Sequence, residues 1–139
     1  MALVLTNFLK AIEALERSLQ ANEDAKNLDL SNDIRESIRA GVIQNFEVCY
    51  EQSWKMMKRW IENHVGNTYV DGVTRRELFR VAAENRLISD VELWMGFHSS
   101  RNETSHTYDQ ATASEVFADA KPFLIEVKSL FDAIQSRND

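Results

Sequence analysis

Between Asp33 and His64 the chain carries apolar residues at helical spacing along two separate lines, a pattern that suits a helical bundle and not a sheet. Ile34, Ile38, Val42, Phe46 and Cys49 make one stripe, and Ile43, Tyr50, Trp54, Met57 and Ile61 make another. One helix over these residues would be about 45 Å long at 1.5 Å per residue. Two stripes predict neighbours on two sides, either within a bundle or in a second subunit.

The rest of the chain repeats the helical period. Phe8, Ile12, Leu15 and Leu19 predict a first helix over residues 6–21, followed by a polar loop from Asn22 to Leu30. Ser31 or Asn32 then suits the cap of the long helix. Gly66 to Gly72 is the clearest break. Three pairs have the spacing of a capping box, in which a hydroxyl and a carboxylate satisfy each other's local N–H groups. Thr74 with Glu77 opens a short third helix to Asn85. Ser89 with Glu92 opens a fourth helix carrying Val91, Trp94, Met95 and His98, and Thr112 with Glu115 opens a fifth running to Ile134. Pro122 lies inside that last pattern, where it predicts a kink or break. The expected fold is an all-α, antiparallel up-and-down bundle of four main helices plus a short one.

Composition narrows the rest. The 139 residues make one domain, 1–139, and four glycines with one proline are too few for a turn-rich β-sandwich. Strictly apolar runs are as short as Ala2 to Leu5, which predicts no membrane span. The lone Cys49 cannot form an internal disulfide, which predicts a soluble, cytoplasmic protein. A net charge of −6 argues against a broad nucleic-acid surface, but a focused pocket needs only a few well-placed arginines.

The segment carrying chemistry is Arg101-Asn102-Glu103-Thr104-Ser105-His106-Thr107-Tyr108. Arginine offers a permanent charge and a planar fork of donors suited to phosphate. Histidine exchanges a proton near neutral pH. Together they suit metal-free RNA cleavage by attack of the ribose 2′-OH on the adjacent phosphate. On a continuous helix, residues five apart are rotated by about 140° net, so Arg101 and His106 would point to different faces. They share a site only if the helix ends between them or a two-fold axis brings two copies together. The same residues also suit an ordinary helix end, where a cation meets the negative pole.

The ordered set Arg101-Asn102, His106-Thr107-Tyr108, with Gln44, Phe46-Glu47, Trp54-Lys55, Leu87-Ile88 and Trp94-Met95 upstream, resembles the HEPN superfamily. The likeness is to its bacterial branch of nucleotidyltransferase substrate-binding proteins and covers nearly the whole chain. It implies a homodimer whose Arg–His motifs line a cleft between subunits, encoded beside a minimal nucleotidyltransferase. Many such pairs are toxin and antitoxin, a metal-independent RNase and the partner that silences it by adenylylating the motif tyrosine. By that likeness Arg101 binds phosphate, His106 assists proton transfer, Asn102 supports the site and Tyr108 is modified. The family name implies an alternative, a non-catalytic subunit presenting nucleotide or substrate to the nucleotidyltransferase. The family's usual glycine before Leu-Ile is Arg86 here, which predicts that Asn85 takes the left-handed turn conformation.

Arg75 and Arg76 sit at the positive end of the third helix, where each costs about 0.3–1 kcal/mol. With Lys55 they are candidates for contact with RNA or an acidic partner, or are simply tolerated there. Trp54, Trp60, Trp94 and Met56-Met57 read as core or interface residues, because they lie on apolar stripes. Glu103 with His106 has the Glu-x-x-His spacing of di-iron bundles, but His64 and His98 lack the matching glutamate. No metal site and no cofactor are expected.

Overall fold

The computed structural model describes residues 2–106 and 109–139. Five α-helices follow in order: α1 Thr6–Ala25, α2 Asn32–His64, α3 Arg75–Glu84, α4 Val91–Asn102 and α5 Gln110–Ser136. Single 3₁₀ turns occupy Asn67–Tyr69 and Glu103–His106. No strand occurs among the described residues, so the all-α expectation holds.

Side-chain ties fix the directions of the helices. Arg35, near the start of α2, donates to the carbonyl of Ala25 at the end of α1, so the two run antiparallel. At the start of α5, Gln110 and Ser114 accept from Arg39, whereas Trp60 near the far end of α2 donates to the Arg137 carbonyl. Helices α2 and α5 therefore run the same way, with α1 and α4 against them and α3 in the crossover. Both stripes of α2 are covered by this arrangement: Val42, Phe46, Cys49, Ile43, Tyr50, Met57 and Ile61 are buried. The two stripes thus need no second subunit to explain them, and only Ile34 at the helix start is left largely exposed.

Several boundaries differ from expectation, each for a local reason. Helix α1 continues to Ala25, because Asn22 to Asp24 extend its exposed face and Gln20 donates to Asp24 one turn on, at 2.8 Å. Thr74 caps α3 by accepting from the Glu77 N–H, but Glu77 turns its carboxylate to Arg80 instead of closing the box. Asp90, not Ser89, caps α4, accepting from the Leu93 N–H at 3.0 Å. A carboxylate there also meets the positive helix end. Asp109, not Thr112, caps α5, and the Thr112 hydroxyl donates to Asp109. Helix α5 is not broken at Pro122. The carbonyl that loses its partner belongs to exposed Ala118, where water can serve it.

The left-handed residue after α3 is Arg86, at φ 61°, and Asn85 stays at φ −94°. Leu87 N–H reaches the Ala82 carbonyl and Arg86 N–H the Ala83 carbonyl, the paired bonds of a Schellman cap. That position favours glycine, because a Cβ there meets the carbonyl. The Arg86 side chain is exposed, and it is the backbone that bonds, its carbonyl accepting from Arg137. Arg86→Gly is therefore expected to stabilise the protein by about 0.5–1 kcal/mol, the relieved strain exceeding the extra freedom of the unfolded chain. A lower urea midpoint for the variant would contradict this.

Candidate functional site

Helix α4 stops at Asn102, and the 3₁₀ turn carries the chain on to His106. The helix therefore ends between Arg101 and His106, as a shared site requires. Arg101 lies half-buried on the last turn of α4, facing α2. Its Nε donates to Glu51 Oε1 at 2.9 Å, its Nη2 lies 3.8 Å from Glu47 Oε1, and its Nη1 lies 3.4 Å from the Thr104 hydroxyl. Glu47 and Glu51 stand one helical turn apart on α2, so both carboxylates face the same guanidinium. His106 is exposed on the turn. Thr107 and Tyr108 lie outside the described residues.

A second set of side chains joins this one. Glu51 Oε2 accepts from Trp54 Nε1 at 3.1 Å. The guanidinium of Arg75 lies 3.7 Å from the centre of a Trp54 ring, a cation–π stack, and its Nη1 donates to the Tyr50 hydroxyl at 3.1 Å. Tyr50 Oη is 2.8 Å from His98 Nδ1, and His98 Nε2 is 3.4 Å from Asn102 Nδ2. Contacts thus run from Arg101 through Glu51, Trp54, Arg75, Tyr50 and His98 to Asn102, the residue beside Arg101. Three helices meet in this ring.

Of the residues singled out in the sequence, Arg101, Asn102 and Arg75 are brought together. Lys55 lies at the rim, its ammonium 5.8 Å from a Trp54 ring. Arg76 is elsewhere, ion-paired with Glu92 across the α3–α4 surface. Trp60, Trp94, Met56 and Met57 are buried in the core, whereas Trp54 is half-exposed. The sequence reading missed Glu51, His98 and the polar use of Tyr50. The one available signal was spacing: Glu47, Tyr50 and Glu51 share a face of α2, as His98, Arg101 and Asn102 share one of α4. Among the described residues no group of three His, Cys, Asp or Glu side chains is placed to hold a metal ion. Among them, too, no helix is long and apolar enough to cross a membrane.

Burial pushes the Tyr50 phenol up to about 12, so it remains an O–H donor across the ordinary pH range. Burial, then the charge of Arg75 and, more weakly, of Arg101, holds His98 below its ordinary 6.5, against the pull of Glu51. The consequence for stability has a definite sign. As pH falls below about 6.5 the unfolded chain takes up a proton at this position that the folded chain resists. Stability is therefore full above that pH and declines as pH falls toward the folded value. Urea unfolding at about pH 7.5 and about pH 5.5 is expected to show a larger acid loss in wild type than in His98→Gln. Equal losses would remove His98 as the cause.

Known proteins share the family and the fold of this chain. Residues 3–136 match the family described as "Nucleotidyltransferase substrate binding protein like". The "Probable ribonuclease HepT" of Haemophilus influenzae is 37% identical over 130 residues, spanning 92% of this chain and 89% of that protein. A solved Haemophilus influenzae structure, described as revealing the fold of a substrate binding domain of a nucleotidyltransferase, superposes with a TM-score of 0.89. It is 32% identical and covers 95% of this chain and 99% of its own. A Thermus thermophilus structure shares the fold at TM-score 0.65 and 24% identity, covering 86% of this chain and 98% of its own.

Proposed function

The chain belongs to the nucleotidyltransferase substrate-binding protein family, and from that premise we propose that it is the HEPN-type subunit of a nucleotidyltransferase two-component module. On this reading it is a metal-independent RNA endoribonuclease, of toxin type, neutralised by its nucleotidyltransferase partner. The name of the Haemophilus relative supports the ribonuclease, and the family description supports the partner.

The observation that carries the reading is the setting of Arg101. Its guanidinium is held at the rim by carboxylates, with a histidine just past the end of its helix. Part-exposed ion pairs of this kind contribute only about 0–1 kcal/mol. A phosphate, which accepts two parallel N–H bonds from the same fork, can therefore take the place of Glu51. The ribose 2′-oxygen then attacks the adjacent phosphorus and loses its proton, while the P–O5′ bond breaks and the 5′-oxygen takes up a proton. The products are a 2′,3′-cyclic phosphate and a 5′-hydroxyl. Arg101 neutralises the charge growing on the non-bridging oxygens, His106 serves a proton transfer, and Asn102 supports the site. Arg75 and Lys55, gathered on Trp54, extend the cationic path for RNA. Arg76 lies farther out as a partner contact. A homodimer of about 32 kDa, twice the 16.0 kDa chain, would set two motifs across one cleft. Val48, an exposed apolar residue between Glu47 and Glu51, suits such an interface.

The alternative, a non-catalytic nucleotide- or substrate-binding subunit, is favoured by the two carboxylates that already occupy Arg101. The test is RNA cleavage by wild type in EDTA, with light scattering on the same sample. Chelator-resistant cleavage by a dimer is expected. Nucleotide binding without cleavage would select the alternative, and a monomer at micromolar concentration would remove the shared cleft. Tyr108 is the proposed adenylylation target. Co-expression with the nucleotidyltransferase should add AMP mass to its peptide, and Tyr108→Phe should abolish the addition. An unmodified peptide under full neutralisation would leave silencing to binding alone.

A further inference from the structure

We infer that His98 is a further positioning residue of the cleft, locked in its Nε2–H tautomer by Arg75 and Tyr50 so that it turns the carboxamide oxygen of Asn102 inward and the Asn102 NH₂ outward, toward substrate. The inference rests on the ribonuclease reading only for what the outward NH₂ meets.

The tautomer follows from counting donors. Arg75 has donors only, so the Tyr50 oxygen must accept from it at 3.1 Å. Tyr50 has no exposed surface, and its own proton needs an acceptor. That acceptor is His98 Nδ1, 2.8 Å away. A neutral imidazole accepting at Nδ1 carries its proton on Nε2. The opposite tautomer would aim two donors at the Tyr50 oxygen and leave the phenolic proton without a partner.

The Nε2–H then faces the amide nitrogen of Asn102, Nδ2, 3.4 Å away. Two donors cannot pair, so the amide presents its oxygen to His98. An amide's O and N are interchangeable by a half-turn, and the hydrogen-bond network decides between them. The NH₂ is thereby directed out of the ring of contacts, at the exposed end of α4 beside Arg101. There it can donate to a phosphate oxygen or a ribose hydroxyl. The charged and titratable groups around His98 are Tyr50 and Glu51 on α2, Arg75 on α3 and Arg101 on α4, and burial among these cations keeps the ring neutral.

Two measurements on the full-length protein test this. Long-range proton–nitrogen correlation NMR at neutral pH reports which His98 nitrogen is protonated. Nε2–H is expected in wild type, giving way to a mixture in Tyr50→Phe; a dominant Nδ1–H form in wild type overturns the inference. The second is a pair of near-isosteres assayed for RNA cleavage in EDTA, with thermal melts to normalise for folding. His98→Gln keeps a donor where Nε2 stood and is expected to recover kcat/KM to within about threefold of wild type. His98→Asn keeps a group on the Tyr50 side only and is expected to lose about tenfold to a hundredfold, as misplaced groups do. Equal activities in the two variants mean that His98 merely fills space. If wild type cleaves nothing, the ribonuclease reading fails alone, and the NMR tautomer still decides the assignment of His98 and Asn102.

Discussion

His106→Ala is expected to lower RNA cleavage in EDTA by at least about a hundredfold, the usual scale for a lost general acid or base. Arg101→Ala should fall by a similar factor, about 10² to 10³, because it removes the permanent charge that on this reading meets the oxygens of the reacting phosphate. The two variants are informative for different reasons. His106 is exposed on a 3₁₀ turn, so its replacement should leave stability within about 0.5 kcal/mol. A loss of activity there is a loss of chemistry. Arg101 is tied to Glu51, but Glu51 keeps its bond from Trp54 when the guanidinium is gone, so the ring of contacts is opened at one point and not dissolved. Arg101→Lys is not a conservative control, since an ammonium cannot reproduce the planar fork. The same rate for all three proteins would place the cleavage elsewhere, in a contaminant or another site. Full activity of His106→Ala with loss in Arg101→Ala would keep phosphate binding and assign the proton transfer to a different group.

The helices were legible because burial imposes a period, and the period is local. The stripes Phe8 to Leu19 and Val42 to Ile61 need only the residues themselves to be recognised. Caps were less legible because neighbouring residues compete for one position. Ser89 and Asp90 can each accept from the first free N–H groups, as can Asp109 and Thr112, and the carboxylate took the position in both cases. Arg86 is a different kind of miss. Its left-handed turn was placed one residue early, on Asn85, the residue type that tolerates that conformation better; the backbone geometry of the Schellman cap overrode the preference.

The site divides in the same way. Arg101, Asn102 and His106 are close in sequence, so order and residue type single them out as the proposed site residues. The groups that hold them are not: Tyr50 reaches His98 across 48 positions, and Glu51 reaches Arg101 across 50. A helical period says which face a residue occupies but not what stands opposite. Tyr50 was read as a core residue, which its ring is; only the facing helix reveals that its hydroxyl is in use. Arg75 gave a hint that could not be completed. A cation at a positive helix end is unfavourable by itself, and its position makes sense once the Trp54 ring and the Tyr50 oxygen are seen to receive it.

The core beneath the site should be equally sensitive, and Phe123 is its hinge. Its ring lies 5.1 Å from that of Phe46, 5.6 Å from Trp94 and 5.1 Å from Phe97, each in an edge-to-face arrangement, and 6.3 Å from Tyr50. These partners come from α2 and α4, so one side chain of α5 joins both helices that carry the site. It has no exposed surface. Phe123→Ala removes the ring from a place that cannot collapse around it, and the expected loss is about 3–5 kcal/mol. For a domain of this size that is a drop of roughly 10–20 °C in Tm. Phe123→Leu, nearer in volume, should lose less than half as much. The structure also predicts a functional trace that stability alone does not. Tyr50 rests on this ring, so the His98 resonances should broaden or shift in Phe123→Leu even where the protein remains fully folded. A loss below about 1 kcal/mol for the alanine variant, or an unchanged His98 spectrum in the leucine variant, would mean that the site is held by its polar contacts and not by the aromatic core under them.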